Sequence, residues 1–458
     1  MSESVAMGGV GPQRVDTIPM GIKVSWASGA LGVAILMNTV AFFALFYMVS
    51  VLKIEPALAG TLMFITKLFD VLTDPVVGGW SDRIKSPGSR RRPFLLVGMI
   101  VSPLAFLMIF STPVFSDQVF TATYIFVAML LYTLGYTLFN VPYISMPAEM
   151  TDNDLERSSI HGVRMIFVSI AGIVVGAGAP ALLEVMGRKS WDSYAAIGGI
   201  GAVIIFLAMF CAWYGTGKAR FTRAEIVPPK LLPEIRHVFA DRHYIRLLSI
   251  KAAQLLGAAS MQSALAFFFV YALQRDFKLL SYYGLVMGIV SVIVSPLIVR
   301  FSRVIGKRGA YIAAAASMVL VSASWIFATP GEPTWAVLLR GAVIAFAVSG
   351  NVIMAMSMLT DIINHSATFT GVRREGVYTS FYSFVEKATF AFGPLIVGAA
   401  MSIAGFDESA TESAMNTPAL RQSLLLGVSY IPIAMTLLSM YLLWGYRLTQ
   451  SELEARRD

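Results

Sequence analysis

Long apolar runs fill most of the chain, and short polar segments separate them. A hydrocarbon core about 30 Å thick needs about 20 apolar residues for each helix that crosses it. Only helices and closed barrels satisfy their own backbone in lipid, and the runs show no strand-like alternation of apolar and polar residues. The pattern therefore predicts an all-α membrane protein. We place its twelve transmembrane helices at 22–50, 58–80, 94–113, 120–145, 161–186, 193–214, 244–272, 280–301, 310–329, 334–358, 376–404 and 420–446.

The composition supports this assignment. Hydrophobic residues make up 57% and charged residues 14% of the 458 residues, with a mean hydropathy of +0.71, whereas a soluble protein carries about 25% charged residues. The net charge of +8 does not indicate nucleic-acid binding, because the basic residues lie in short segments beside the apolar runs. The single cysteine, Cys211, excludes an internal disulfide, and residues 1–20 lack the apolar stretch of a cleavable signal peptide.

The basic residues also predict the orientation. The segments after the second, sixth, eighth and tenth spans are rich in Lys and Arg, and the alternate segments are poor in them. Lys- and Arg-rich loops stay on the cytoplasmic side of a membrane. We therefore expect a multi-pass protein of the plasma (inner) membrane with both termini in the cytoplasm.

The long basic segment after the sixth span divides the chain. It contains three prolines, Pro228, Pro229 and Pro233, and the span prediction leaves six helices on either side of it. We predict an N-terminal six-helix bundle, a cytoplasmic linker and a C-terminal six-helix bundle, at 1–214, 215–243 and 244–458.

Weak sequence similarities between the two halves indicate that they are repeats. The basic turn Ser81–Pro93 after the second span is matched by Ser302–Gly309 after the eighth. In the same way, His161–Arg164 at the fifth span is matched by Thr370–Arg373 before the eleventh. Two parallel six-helix repeats around a central site are the layout of the major facilitator fold.

The second span carries the densest group of buried charges. Asp70 and Asp74 are four residues apart and share one helix face, with Lys67 one turn before Asp70. Two carboxylates this close cannot both stay charged in a low dielectric unless a cation, a proton or the lysine compensates one of them. We expect a cation-coupling site here, with Thr73 as a further oxygen donor. The alternative is a structural ion pair between Lys67 and one aspartate, but a lone pair needs no second buried aspartate.

Polar residues in two other spans are candidates for the same cavity. In the fourth span, Thr137, Asn140 and Tyr143 are spaced by three residues, although Thr and Asn in membrane helices often just bridge neighbouring helices. In the fifth span, Arg164 either faces the cavity or extends to the cytoplasmic surface. The first span is apolar near Ala34 except for Asn38 and Thr39, and we include Asn38 in the cavity.

The eleventh span places Glu386 and Lys387 about ten residues inside an apolar segment, too deep for easy contact with the surface. Adjacent residues point about 100° apart on a helix, so these two side chains do not pair with each other. We expect Lys387 to face the cavity, with Tyr382 and Glu386 lining another side of it.

Charged residues at the cytoplasmic ends of the spans predict a gate or a topology anchor. Asp82 and Arg83 precede the basic run that ends at Arg92, and Glu149 and Arg157 flank the loop after the fourth span. In the other half we expect Asp361 and Arg373 to make the corresponding contacts between helices. The four histidines show no metal-ligand spacing, and the chain has no nucleotide-binding Gly-Lys-Ser/Thr motif, which argues against a primary pump.

Taken together, these residues resemble the glycoside–pentoside–hexuronide:cation symporter family. The motifs that carry the resemblance are Asp70–Gly78, Asp82-Arg83, Arg92–Phe94, Asn140–Tyr143, Glu149–Arg157, Thr370–Gly376 and Phe384–Lys387. The resemblance implies that Asp70, Asp74, Thr73, Thr137 and Asn140 form the site for Na⁺ or H⁺. It also implies that Lys387 and Arg164 lie near the substrate cavity.

Two positions depart from the sugar-carrying members of this family. Asn140 stands where their fourth span has a cation-site aspartate, and Ala34 aligns with a sugar-binding aspartate of their first span. The same pattern also resembles the lysolipid transporters of animals, which bind an amphiphile in a more apolar cavity. The 30 Phe and 24 Met residues suit such a substrate, but they are also ordinary packing residues.

We therefore expect a Na⁺- or H⁺-coupled symporter of a small organic solute such as a glycoside, working by alternating access. The alternatives are a transporter of an amphiphilic, lysolipid-like substrate and a transport-dead sensor or scaffold, against which the short tails count. An enzyme is not expected, because no nucleophile–base pair or set of metal ligands converges by spacing. We expect no cofactor besides the coupling ion, no nucleic-acid partner, contact with membrane lipids, and function as a monomer.

Overall fold

The computed structural model describes residues 17–83, 91–151, 153–219, 238–370, 375–407 and 417–445. Regular structure within these ranges is helical, as the apolar pattern predicts. The first half contains α1 (Met20–Ser50), α2 (Pro56–Arg83), α3 (Arg92–Phe110), α4 (Gln118–Met150), α5 (Asp154–Ile173, a π-turn at Val174–Gly178, and Ala179–Met186) and α6 (Trp191–Gly215). The second half contains α7 (Arg242–Phe267 with a π-turn at Phe268–Ala272), α8 (Phe277–Ser324), α9 (Thr334–Thr370), α10 (Glu375–Ile403) and α11 (Pro418–Leu425, a π-turn at Leu426–Tyr430, and Ile431–Trp444).

The helix α8 accounts for two of the twelve predicted spans. Its 48 residues correspond to about 72 Å of helix, more than twice the thickness of a bilayer core. At Gly306 the backbone leaves the helical conformation, with φ 76° and ψ 161°, and this positive φ is one that glycine adopts without strain. The break lies inside the basic turn 302–309 between the predicted spans. The eleven long apolar helices of the described ranges therefore correspond to the twelve predicted spans.

Several helices extend beyond the predicted spans. The predicted span 334–358 corresponds to Thr334–Thr370, and the predicted span 120–145 corresponds to Gln118–Met150. The apolar pattern ends where the hydrocarbon ends, whereas the backbone continues its hydrogen bonds into the polar region. Hydrophobicity therefore places the membrane more reliably than it places the helix ends.

The two halves can be described by the faces at which their helices end. We call the face at which α1 begins and α11 ends the terminal face, and the other the opposite face. Across the centre of the molecule, α2 packs along α10, α5 along α8, and α1 along α7. This is the two-bundle arrangement of the major facilitator fold. The linker boundaries stay a prediction, because residues 220–237 lie outside the described ranges.

Glycines allow the halves to approach closely near the opposite face. A Cβ atom at Gly60 of α2 would lie 2.5 Å from the carbonyl oxygen of Pro394 in α10, and one at Gly398 would overlap the carbonyl oxygen of Pro56. In the second pair of helices, a Cβ at Gly284 of α8 would overlap the backbone of Gly176 in α5. Glycine at these positions lets the two backbones touch, as small residues do in other membrane helix pairs.

Aromatic and polar contacts close the same face. Phe46 of α1 is fully buried and packs on Phe267 and Phe277 of the other half, with ring centroids 5.0 and 5.4 Å away. Next to them, the Ser402 hydroxyl donates to Glu55 over 3.1 Å. The opposite face is therefore sealed by a packed apolar layer with polar contacts between the halves.

Toward the terminal face, the same central helices leave space. Cβ atoms added at Gly79 of α2, Gly162 of α5 and Gly376 of α10 would meet nothing within 4 Å. Ser380 and Ser383 of α10 are exposed. Hydroxyl groups are better placed against water than against lipid, so this part of α10 faces an aqueous opening. The structure is thus closed at the opposite face and open at the terminal face.

We predict that replacing Gly284 by Leu forces the opposite face apart, since overpacking costs about 1–3 kcal/mol and the Gly176 backbone cannot yield. The measurement is the distance between spin labels at Asp192→Cys and Thr334→Cys, one on each half, in a Cys211→Ser background. The matched control is Gly178→Leu, which meets open space. We expect a longer distance in Gly284→Leu and no change in the control. Equal distances in both variants would contradict the close-packed interface.

Candidate functional site

The carboxylates of Asp70 and Asp74 lie on one face of α2, as their four-residue spacing predicts. Asp70 is 1% exposed, and Asp74 is half-buried. Lys67, one turn earlier, approaches Asp70 to 3.8 Å between Nζ and Oδ2, and its ammonium lies 5.9 Å from the Tyr132 ring centroid. The predicted ion pair of Lys67 with one aspartate is therefore present, but it is the longer of the contacts to this aspartate.

The closer cation comes from the other half of the molecule. Nζ of Lys387, on α10, lies 3.1 Å from Oδ2 of Asp70 and 2.5 Å from Oδ2 of Asp74. The same ammonium lies 4.8 Å from the centroid of the Tyr136 ring on α4, a distance at which a cation is attracted to an aromatic face. Lys387 thus joins the two carboxylates to each other and joins the C-terminal half to the N-terminal half.

The remaining oxygens of the two carboxylates face α4. The Thr137 hydroxyl lies 3.1 Å from Oδ1 of Asp70 and 3.0 Å from Oδ1 of Asp74. A hydroxyl carries one proton and donates to one acceptor at a time, so Thr137 serves either carboxylate. One turn along α4, the Asn140 amide donates to the Tyr136 hydroxyl over 2.9 Å. Its buried Oδ1 has no hydrogen-bond partner among the described residues.

These oxygens suit a hard monovalent cation or a proton. Two carboxylates, the Thr137 hydroxyl and the free Asn140 amide oxygen lie on facing sides of α2 and α4. Carboxylate and carbonyl oxygens are the donors that hard cations prefer. The arrangement fits a Na⁺ or H⁺ site in which Lys387 supplies the balancing charge.

Two residues that were predicted to belong to the site do not contact the carboxylates. The Thr73 hydroxyl donates to the main-chain carbonyl of Asp70 over 3.1 Å, a common bond for Thr within a helix. Asn38 is half-buried on α1, without a contact to the site among the described interactions. Their roles stay predictions that no contact supports.

Tyr143 lies in the protein interior, and its place in the substrate cavity stays a prediction. Its ring is fully buried and stacks on Trp26 with centroids 4.7 Å apart, and its hydroxyl donates to the Trp26 carbonyl over 3.0 Å. Arg164 of α5 is half-buried, with its guanidinium beside the Tyr143 hydroxyl and near Tyr136. Arg164 therefore lies at the wall next to the α4 side of the site.

Glu386 and Lys387 point to different partners, as expected for adjacent residues. Glu386 pairs with Lys251 of α7, with Oε1 and Nζ 3.5 Å apart. Tyr382 is 3% exposed and lies within the second half, with its ring centroid 5.8 Å from the Lys251 ammonium, so its place at the cavity stays a prediction. Lys251 was not among the predicted site residues, although a lysine nine residues after the start of a membrane-spanning helix is the same kind of signal that identified Lys387.

The predicted gate residues make contacts within each half. Arg92 donates to the Trp213 carbonyl over 3.1 Å and stacks on its ring, and Arg157 donates to the Thr151 carbonyl over 3.4 Å. Two ion pairs complete the set, each between helices of one half: Arg91 with Glu149 at 2.8 Å, and Lys307 with Asp361 at 2.7 Å. A further pair that was not predicted joins Lys23 of α1 to Glu156 of α5 at 2.8 Å. Arg373 and the side chains of Asp82 and Arg83 lie outside the described part of the chain.

The comparisons with known proteins agree with this architecture. Residues 25–450 match the family described as MFS/sugar transport protein. Among similar curated proteins, the uncharacterized symporter YnaJ of Bacillus subtilis (strain 168) is 26% identical, with 96% of this chain and 94% of that protein covered. The putative glycoside/cation symporter YagG of Escherichia coli (strain K12) is 24% identical, with 94% and 93% covered.

A solved structure shows the same fold. The bacterial homologue of the human lysosomal transporter Spinster, in an inward-facing and unoccupied conformation, superposes with a TM-score of 0.67 at 14% identity and covers 94% of this chain and 98% of its own. The predicted fold and the predicted family resemblance are both confirmed, and with them the prediction of a transporter of the symporter type. The chain is a multi-pass membrane protein that belongs to the MFS/sugar transport protein family.

Proposed function

We propose that this protein is a symporter that couples the movement of a small organic solute to Na⁺ or H⁺ by alternating access. The observation that carries the proposal is the contact of Lys387, from the C-terminal half, with both Asp70 and Asp74, from the N-terminal half. A coupling site must be linked to the equilibrium between conformations. A charge contact that crosses between the moving halves supplies that link.

The charges of this cluster balance without an added cation. Asp70 and Asp74 contribute two negative charges, and Lys67 and Lys387 contribute two positive ones. A Na⁺ or a proton at the carboxylates therefore adds an uncompensated charge, which is costly in a low dielectric. Because Lys387 belongs to the other half, the added cation weakens its hold on the carboxylates.

Competition between the cation and Lys387 couples the ion to conformation. A ligand shifts a conformational equilibrium only through its different affinities for the two states. In the present state Lys387 lies against the carboxylates, so the cation must compete with it. A state in which the halves have rotated and Lys387 has withdrawn binds the cation more tightly. The ion and the solute then favour movement together.

The charge distribution supports the proposed orientation. Of the loops at the terminal face, those after α2, α6 and α9 are rich in Lys and Arg, which supports a cytoplasmic position for that face in a protein of the plasma membrane. The opening toward the terminal face then makes the present state inward-facing. As to the solute class, the similarity to a putative glycoside/cation symporter supports a glycoside.

We predict that Na⁺ or H⁺ stabilises the purified protein and that Asp70→Asn and Asp74→Asn abolish this effect. The measurement is the melting temperature in NaCl and in KCl at two pH values, because a ligand at 100 times its Kd stabilises by about 2.7 kcal/mol. A Na⁺-specific rise identifies sodium as the coupling ion, and a pH-dependent shift lost in the variants identifies the proton. Solute accumulation at wild-type levels in both variants would overturn the proposed site. A melting temperature that neither ion changes would leave an uncoupled carrier, such as one for an amphiphile.

We also predict that Thr137→Val lowers Na⁺ affinity about tenfold or more, since the variant loses the hydroxyl oxygen as a ligand and a polar contact to a charged group contributes about 1.5–3 kcal/mol. Thr73→Val is the matched control, because its hydroxyl donates to the Asp70 main chain and not to a carboxylate. The cation concentration that gives half of the maximal thermal stabilisation checks both variants. Equal loss in the two variants would show that the hydroxyl of Thr137 has no special part in the site.

A further inference from the structure

Lys251 is a buried lysine that the coupling mechanism does not use. It lies nine residues after the start of α7, about 14 Å along the helix, and it is 1% exposed. Lysine is almost never fully buried unless it is paired, because a charge taken out of water loses several kcal/mol of solvation. A lysine at this depth therefore needs either a strong partner or a function.

Its partner in the protein is a weak one. Nζ of Lys251 lies 3.5 Å from Oε1 of Glu386 and has no hydrogen-bond partner among the described residues. Charge-assisted hydrogen bonds are about 2.7–2.9 Å long, and an ammonium has three protons to donate. The Lys307–Asp361 pair of the same half has that geometry, at 2.7 Å. Lys251 thus retains donors that the protein does not satisfy.

Glu386 connects this lysine to the aqueous opening. Its side chain is 43% exposed, whereas that of Lys251 is 1% exposed. Thr379, Ser383 and Glu386 follow each other at four and three residues along α10, so they form one polar stripe on a single helix face, and Thr379 and Ser383 are exposed. Glu386 therefore lies at the water-facing surface of the second half, with Lys251 directly behind it.

The charges around the opening leave an excess that an anion would offset. The described side chains there include four cations, Lys67, Arg164, Lys251 and Lys387, and three carboxylates, Asp70, Asp74 and Glu386. Among these seven side chains, the positive charges exceed the negative ones by one, and a bound coupling cation would raise this excess to two. A neutral solute would leave this charge uncompensated, whereas a solute with one negative group would reduce it.

We propose that Lys251 binds a negatively charged group of the transported solute, a carboxylate or a comparable singly charged anion. Glu386 is its counter-ion in the absence of solute, and the anion displaces Glu386 toward the water that it already contacts. The nearby Tyr382 hydroxyl, buried and without a hydrogen-bond partner, is a second donor for the anion. This inference rests on the proposed transport function and adds an anion site in the second half to the cation site shared by the two halves.

The experiment compares matched solutes that differ in one carboxylate. Calorimetric titration of the full-length protein in lipid nanodiscs, in NaCl, uses methyl β-D-glucuronide against methyl β-D-glucoside, and a panel of other uronide and glycoside pairs. We expect the wild type to prefer the charged member of at least one pair by about tenfold or more, the size of a hydrogen bond to a charged group. The preference disappears in Lys251→Met, and it persists in Lys251→Arg.

Two further variants separate recognition from a structural ion pair. Glu386→Gln leaves Lys251 without its counter-ion, so the preferred uronide raises the melting temperature of Glu386→Gln by more than it raises that of the wild type. Lys307→Met removes a paired lysine elsewhere in the same half and keeps the preference for the uronide. If Lys251→Met fails to fold, the result for Glu386→Gln still decides the question.

The outcomes also separate this inference from the proposed coupling. A wild type that prefers no charged member of any pair overturns the anion site, whatever sodium does. A preference that survives in Lys251→Met overturns the assignment to Lys251. Cation-dependent stabilisation lost in Asp74→Asn supports coupling in either case, and its absence together with a Lys251-dependent uronide preference leaves an anion site in an uncoupled carrier.

Discussion

The cost of an unpaired charge in the membrane interior constrains this structure more than any other interaction. Within the described part of the chain, the charged side chains between the halves have an opposite charge or an aromatic group beside them, as Lys387 has Asp70, Asp74 and the Tyr136 ring. Because such pairs are obligatory, their presence alone does not identify function. What distinguishes them is which parts of the molecule they connect.

Sorted in this way, two sets of the described ion pairs differ in what they connect. Lys23–Glu156, Arg91–Glu149 and Lys307–Asp361 each join helices of one half near the terminal face, where they hold a bundle together as it moves. The Lys387 contacts join the two halves in the interior, where relative motion must change them. Near the opposite face the halves meet through glycine backbones, the Phe46 layer and the Arg188–Asp276 pair, whose carboxylate is exposed, so that their separation leaves no fully buried charge behind. This division permits rocking at a small electrostatic cost.

The sequence predicts the features that depend on local constraints. The thickness of the bilayer requires about 20 apolar residues per span, so the twelve helices and the break near Gly306 could be predicted from the sequence. The shared face of Asp70 and Asp74 follows from helix geometry alone. Contacts between helices that are distant in the sequence could not be predicted in this way. The Thr73 hydroxyl donates to a carbonyl of its own helix, and the Tyr382 side chain is buried within the second half. For Lys251, only its depth in the helix could have indicated a functional role. Side-chain direction around a helix is fixed by packing, which a single sequence does not reveal.

The placement of the two lysines explains why one ion and one solute would be sufficient for coupling. Lys387 and Glu386 are adjacent on α10, yet they contact α2 and α7 respectively. Any displacement of α10 that relaxes the Lys387 contact also moves Glu386 relative to Lys251. In the proposed mechanism, a cation at the carboxylates and an anion at Lys251 act on the same helix, and each changes the free energy of the other's binding by the same amount. In this proposal the coupling between the cation site and the anion site extends only across the width of α10.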